Sequence, residues 1–397
     1  MTATETTLGQ QPFSTAMKTA DQTAERTAGR SLRILVLATD AYGGTGGIAQ
    51  YMRDLIAAVA SHPRTEAVTV IPRIVSRDTE PLPQRVTHLA RSAGNKFRFI
   101  AATLRASVAR PGFDFIICGH VNLLPAATAA AAISGAKVIL VVYGMEAWEP
   151  KGRIARLLLS RVFAVISISS VTIDRLRAWS RLAQHRTFLL PNAIDLSRYT
   201  PGAKNEQLMA RWSLGGRQIL LTVGRMDAAE QAKGFDEILD VLPELVAEIP
   251  GLAYVAVGDG SDRMRLQAKA ASLGMKDNCV FPGYVSESEK LEYYRLADVF
   301  VMPSRLEGFG YVFLEALAAG VPVIASKVDG SREAVRNGEW GALVDPARPQ
   351  ELIEAIRRAL SKPHIPSRRE LDVFSCDSFV RRCHAMLDAL QAGEVGR

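Results

Sequence analysis

The chain has 397 residues, 48% of them hydrophobic and 22% charged, with a formal net charge of +7. That length fits two domains, each able to bury an ordinary core without disulfide or metal staples. The composition excludes a disordered chain, a collagen and a coiled-coil rod.

Residues 1–30 are rich in Thr, Ala and Gln, with no apolar segment of the kind a secretory signal needs, and predict a disordered tail. Short Val- and Ile-rich runs then recur at Arg33–Ala38, Ala67–Ile71, Phe113–Cys118, Lys137–Val142, Phe163–Ile168 and Thr187–Leu190. Helical periodicity separates them, as at Ile48–Ser61 and Lys151–Arg161. Continuous apolar strands alternating with helices indicate a parallel sheet covered on both faces, a doubly wound α/β domain. The stretch Phe115–Ala136 lacks Asp, Glu, Lys and Arg and has the length of a membrane span. His120, Asn122, Pro125 and an Ala-rich middle divide it better into a strand, a loop and a buried helix over Leu124–Ile133.

The pattern restarts after Pro191-Asn192-Ala193-Ile194-Asp195, with strands predicted at Ile219–Val223, Ala253–Val257, Cys279–Phe281, Val299–Met302, Pro322–Ala325 and Gly341–Val344. A last helix is expected around Ser375–Leu390. The predicted organisation is a tail over 1–30, an N-terminal domain over 31–191, a second domain over 192–370 and a C-terminal helix within 371–397. Ligands of such sheets bind beyond the carboxyl ends of the strands, so two facing domains make a cleft there.

Four clusters fall at those ends. Glu307-Gly308-Phe309-Gly310 precedes a helix carrying Glu315; glycines admit a ligand to the backbone, and a helix start offers free N–H groups to sugar or phosphate oxygens. Gly224-Arg225 ends one strand and Lys233-Gly234 opens the next helix, two cations able to neutralise a diphosphate. Gly43-Gly44-Thr45-Gly46-Gly47 follows the first strand. It fits the dinucleotide fingerprint loosely, too far past the strand and without the acid that holds a ribose. Gly119-His120 follows a buried strand, where a His can exchange hydrogen bonds with a sugar. Each cluster also has a structural reading: a capped loop, a solvated cation, a turn. Glu146 in Tyr143-Gly144-Met145-Glu146 either binds acceptor hydroxyls or caps the next helix.

Charge is uneven along the chain. Residues 1–190 hold 23 Lys+Arg against 12 Asp+Glu, and residues 191–397 hold 25 against 29. A basic first half suggests an anionic partner. Lys96, Arg98, Arg105 and Arg110 accompany Phe97, Phe99, Ile100 and Leu104; Lys151, Arg153, Arg156 and Arg161 accompany Ile154, Leu157, Leu158 and Leu159. These read either as solvated helix faces or as amphipathic helices on an anionic leaflet. Aromatic residues are only 7%, with no stacking motif, so nucleic acid is not the expected partner. The four cysteines form no C-x-x-C pair, which suits a reducing, cytoplasmic compartment.

Taken in order, the Glu-x7-Glu segment, Gly224-Arg225 with Lys233-Gly234, Gly46-Gly47 and Pro191–Asp195 make the chain resemble the retaining glycosyltransferases of family 4, from Arg33 to about Leu390. The resemblance implies the GT-B fold, two Rossmann-like domains facing across a cleft, and transfer of a sugar from a nucleotide diphosphate donor with retention. It implies that Arg225 and Lys233 bind the donor diphosphate and that Glu307 contacts the donor sugar, helped by the Phe309 and Gly310 amides beside Gly308. It further implies that Glu315 holds the ribose diol, that Gly46 and Gly47 border the phosphate and acceptor side, and that His120 lies by the sugar. No metal or other cofactor is expected, since the two cations can meet the charge on the leaving diphosphate. TDAYGGTGGIAQY and YGMEAW look like enzymes of exopolysaccharide assembly, some of which use GDP-mannose. The expected acceptor is a polyprenyl-diphosphate-linked saccharide at the inner face of the cell membrane. A UDP-sugar donor with a soluble acceptor, and a sugar-nucleotide epimerase, are the alternative readings.

Overall fold

The computed structural model describes residues 31–76, 81–150, 152–180, 182 and 187–392, so the predicted tail at 1–30 lies outside the described residues. The apolar runs form two parallel sheets. The first contains β1 (Leu32–Ala38), β2 (Thr65–Pro72), β3 (Val86–His88), β4 (Phe115–Cys118), β5 (Lys137–Val142), β6 (Ala164–Ser167) and β7 (Thr187–Leu189), in the order β3-β2-β1-β4-β5-β6-β7. The second contains β8 (Gln218–Val223), β9 (Leu252–Val257), β10 (Cys279–Gly283), β11 (Val299–Val301), β12 (Val323–Ser326) and β13 (Ala342–Val344), in the order β10-β9-β8-β11-β12-β13. This is the GT-B architecture expected from the sequence.

Strand β3 was not expected. It is three residues long, lies at the sheet edge beside β2, and has no apolar run to betray it. The charge-free stretch after Phe115 is strand β4, a short turn and the helix Leu124–Ser134. No helix among the described residues is long and apolar enough to cross a membrane.

Alternate residues of each strand enter different cores. Leu35 and Leu37 face the outer helices of the first domain, and Leu220 and Tyr254 those of the second. Ile34, Val36, Ile219 and Leu221 belong to a third core that runs through both domains. The helix Cys376–Ala392 returns to the first domain and packs on Gly47–Ser61: His384 Nε2 lies 3.0 Å from Ser61 Oγ, and the rings of Tyr51 and Phe379 meet edge to face. The two chain crossings run side by side, with Ile194 N donating to Phe374 O at 2.8 Å.

In each sheet the chain reverses its direction of strand addition once, between β1 and β4 and between β8 and β11. Crevices open at such switch points, beyond the strand carboxyl ends. The loops after β1, β4, β8 and β11 therefore define where a ligand of this fold can sit.

Candidate active site

Those loops carry the residues singled out above. After β1, Gly46 precedes Gly47, which starts the helix Gly47–Ser61. Arg53, one turn and a half along that helix, donates to the carbonyls of Ala41 (2.9 Å) and Gly44 (3.0 Å) and so fixes the loop. After β4, His120 is half-buried and its Nδ1 accepts from the Asn122 amide at 3.0 Å. Its neighbour Gly119 accepts from the Tyr143 hydroxyl at 3.0 Å.

After β8 and β11 the second domain brings Lys233 and Glu307 together: Lys233 Nζ donates to Glu307 Oε2 at 2.6 Å. Burial pulls the Lys233 ammonium down, but Glu307, with Glu230 and Asp329 beyond it, more than offsets this and the net shift is upward, so the lysine is charged. Arg225 lines the same small cavity as Lys233 but turns to Glu230, whose two oxygens both lie 3.0 Å from Arg225 Nη2. Each cation of the expected diphosphate cradle thus holds a carboxylate of the chain itself.

The Glu307 loop is held from below by Asp329, which sequence reasoning missed. Asp329 is fully buried after β12; its Oδ2 accepts from Glu307 N (2.9 Å) and Ser304 Oγ (2.7 Å), and its Oδ1 from the Ser331 amide and hydroxyl. Burial pushes its carboxyl up, while these donors oppose the shift. The only sequence signal was an Asp-Gly pair at a strand end, which reads as an ordinary turn.

Gly308 is one of the places where the domains touch. A Cβ there would stand 1.7 Å from the Tyr143 carbonyl oxygen, and one on Gly144 would stand 3.2 Å from Gly308 Cα. Gly310, with φ 90°, forms the N-cap of the helix Tyr311–Ala318. That helix begins against the opposite domain: a Cβ on Gly47 would stand 3.7 Å from the Tyr311 ring, and the Tyr311 hydroxyl donates to Asp54 at 2.9 Å. Phe309 is buried and packs edge to face on Phe374, so its side chain serves the core and only its backbone is offered to a ligand.

Two expectations meet a different geometry. Glu146 uses Oε1 to accept from the amides of Tyr143 (2.5 Å) and Gly144 (3.3 Å), the capping alternative. Glu315, 5% exposed, is already engaged. Its Oε1 accepts from Tyr199 (3.0 Å) and Lys290 (2.8 Å), and its Oε2 from Tyr294 (2.6 Å). In this conformation a ribose diol would have to displace one of those donors.

Across the cleft, Glu333 of the second domain caps the helix Ser170–Trp179 of the first, accepting from Ser170 N (3.0 Å), Ser170 Oγ (2.8 Å) and Val171 N (3.0 Å). Such a cap contributes about 1 kcal/mol, here across a domain boundary.

Known proteins resemble the chain in sequence and in fold. Residues 45–198 match the family model described as Glycosyltransferase Family 4, and residues 205–372 the model described as Glycosyl transferases group 1. A GDP-mannose-dependent alpha-(1-6)-phosphatidylinositol monomannoside mannosyltransferase of Mycobacterium tuberculosis is 29% identical over 353 residues, which cover 83% of this chain and 89% of that protein. A D-inositol 3-phosphate glycosyltransferase of Geodermatophilus obscurus is 37% identical over 210 residues, 49% of this chain and 45% of that one. Among solved structures, Anabaena HepE in complex with UDP-glucose superposes with a TM-score of 0.72 at 18% identity, covering 90% of this chain and all of that one.

Proposed function

The chain belongs to the family 4 glycosyltransferases, and from this we propose that it moves mannose from GDP-mannose to a lipid-linked saccharide with retention at the anomeric carbon. The observation that carries the reading is the meeting of two switch points. Arg225, Lys233 and Glu307 stand at one, Gly46, Gly47 and His120 at the other, and Gly308 touches Tyr143 between them.

In the proposed reaction the bond from the anomeric carbon to the diphosphate oxygen breaks, and its electron pair goes to the phosphate. Arg225 and Lys233 meet that charge as it develops, as cations held in place before the reaction do best. Lys233 anchors Glu307 Oε2, leaving Oε1 to accept from a hydroxyl of the donor sugar. The Phe309 and Gly310 amides and His120 take further sugar hydroxyls. The acceptor oxygen forms its bond on the face the phosphate leaves, and its proton passes to the leaving phosphate. The cations suffice for the charge without a metal. The donor choice follows the mannosyltransferase relatives, which match over most of both chains.

The lipid acceptor is supported by one face of the first domain. The helices Lys96–Ser107, Leu124–Ser134 and Gly152–Leu159 contain no acidic residue. They leave Phe97 (70% exposed), Ile154 (74%) and Leu157 (57%) in solvent, among exposed Lys96, Arg98, Arg105, Arg153 and Arg156. Phe99 instead turns inward, and Lys151 lies outside the described residues. Apolar tips within a basic field suit an anionic leaflet, with the chain peripheral at the cytoplasmic surface.

The test is transfer of labelled mannose from GDP-mannose to a bacterial lipid extract, with the anomeric configuration of the product read by NMR. Label in the lipid phase with the donor's configuration is expected. Label transferred only from UDP-glucose, or an inverted product, contradicts the reading. So does a trapped glycosyl–enzyme adduct, for the same-face step alone.

A further inference from the structure

Tyr311 links the loop that carries Glu307 to the opposite domain. Its ring passes Gly47, and its hydroxyl donates to Asp54 Oδ2 at 2.9 Å. Asp54 is 3% exposed, about two turns into the helix Gly47–Ser61. Gln50 Nε2 donates to Asp54 Oδ1 at 2.7 Å, while Gln50 Oε1 accepts from Arg53 Nη2 at 2.8 Å, so the amide cannot turn round. Arg53 is also the residue that holds the glycine loop through Ala41 and Gly44. One network therefore shapes the glycine loop and grips the helix behind Gly310.

We infer that Tyr311 and Asp54 are positioning residues, a buried contact across the cleft that sets the donor loop at its working distance from the Gly46–Gly47 loop. The inference rests on the reading that transfer takes place between those loops. Side-by-side chain crossings at Ile194 and Phe374 join the domains, and a joint of so few strands of chain is what hinge closure uses.

The contact has a proton signature. Burial pushes the Asp54 carboxyl up from 3.8 to about 7, against the pull of Tyr311, Arg53 and Gln50. The other groups facing it are Tyr51 on its own helix, Tyr311 from the second domain, and Cys376 at the start of the C-terminal helix, with Asp195 and Asp377 behind. Burial raises both tyrosines and the thiol, so all three stay neutral and Asp54 is the group that titrates. Once the domains part, water returns Asp54 towards its ordinary range. The closed state then binds the proton more tightly, and closing takes one up at pH values between those limits. The contact strengthens as pH falls from about 8.5 to about 6. A phenol both donates and accepts, so the bond survives protonation with its direction reversed.

The experiment is small-angle X-ray scattering of the ligand-free full chain at about pH 6 and about pH 8.5, with donor kinetics in parallel. Wild type is expected to be more compact at the lower pH. Asp54→Asn, uncharged throughout, should be equally compact at both, and Tyr311→Phe expanded at both. In GDP-mannose turnover, Tyr311→Phe should lower kcat about five- to tenfold, the worth of one buried hydrogen bond. Its donor KM should barely change, because Arg225, Lys233 and Glu307, the main diphosphate and sugar contacts, all lie in the second domain. A wild-type radius that ignores pH, an Asp54→Asn variant that keeps the response, or a Tyr311→Phe defect confined to KM overturns the inference. Arg225→Ala separates the two levels: if it leaves GDP-mannose binding untouched while the scattering holds, the donor site is wrong and the contact stands.

Discussion

Lys233 Nζ lies 2.6 Å from Glu307 Oε2, and this pair ties the loop after β8 to the loop after β11. Both side chains are mostly shielded, at 24% and 18% exposure, so the charges are worth more than a surface pair. They have different tasks in the proposed reaction. Glu307→Gln should lower kcat about 100-fold or more, as loss of a group aligned on the reacting sugar does, and leave GDP-mannose affinity within about threefold. Lys233→Met should weaken GDP binding itself by about tenfold or more. Initial rates and calorimetry with GDP check the split; equal effects of both variants on affinity alone would refute it.

Gly308 has no room for a side chain. A methyl group there would collide with the Tyr143 carbonyl, and one on Gly330 would stand 2.0 Å from the Gly308 carbonyl. Gly308→Ala should therefore push the loop off the opposite domain. We expect activity to fall by about tenfold or more with a modest loss of stability, of order 1–3 kcal/mol. Activity and thermal unfolding of the variant measure both; wild-type turnover would show that the close approach has no part in catalysis.

Glu230 occupies Arg225 where the reading puts a phosphate. The pair is exposed on the arginine side, at 64%, so it is weak and exchangeable. Glu230→Gln should release Arg225 and tighten GDP binding by about two- to fivefold, more at low salt. Unchanged or weaker binding by the variant would mean that Glu230 orients Arg225 instead of competing for it.

Glu315 tests the limit of family likeness. Its carboxylate is enclosed by Tyr199, Tyr294 and Lys290. Burial pulls the Lys290 ammonium down, but Glu315, together with Tyr199 and Glu287, more than offsets this and leaves it raised overall. Removing one partner of a buried ion pair costs about 3–5 kcal/mol. Glu315→Gln should accordingly lower the unfolding temperature by several degrees or more with no ligand present. A variant as stable as wild type but deficient in GDP binding would instead favour the ribose-binding role.

The fold was legible because parallel strands buried on both faces leave continuous apolar runs such as Arg33–Ala38 and Ala253–Val257. Strand β3 was not, since Val86–His88 is short, lies at an edge and owes its pairing to β2. That Arg225, Lys233 and Glu307 gather at strand ends could be read from their positions in the sequence. Asp54, Asp329 and Tyr311 could not, because each acts through a partner distant in the chain: Asp54 sits within an apolar helix, and nothing nearby announces a tyrosine from the other domain. Glu146 and Glu315 have the expected residue types at the expected spacing, but protein donors engage Oε1 of Glu146 and both oxygens of Glu315, which sequence alone could not show.

The most direct test of the account is the thermal stability of the purified full chain with GDP-mannose, UDP-glucose, UDP-GlcNAc, UDP-glucuronate, ADP-glucose and NADH, in wild type and in Arg225→Ala. The account predicts that GDP-mannose raises the unfolding temperature of wild type, by about 2.7 kcal/mol of stabilisation at a hundred times its Kd, and that Arg225→Ala abolishes the rise. Stabilisation by NADH alone, or by GDP-mannose equally in both proteins, would contradict a diphosphate site at Arg225 and Lys233.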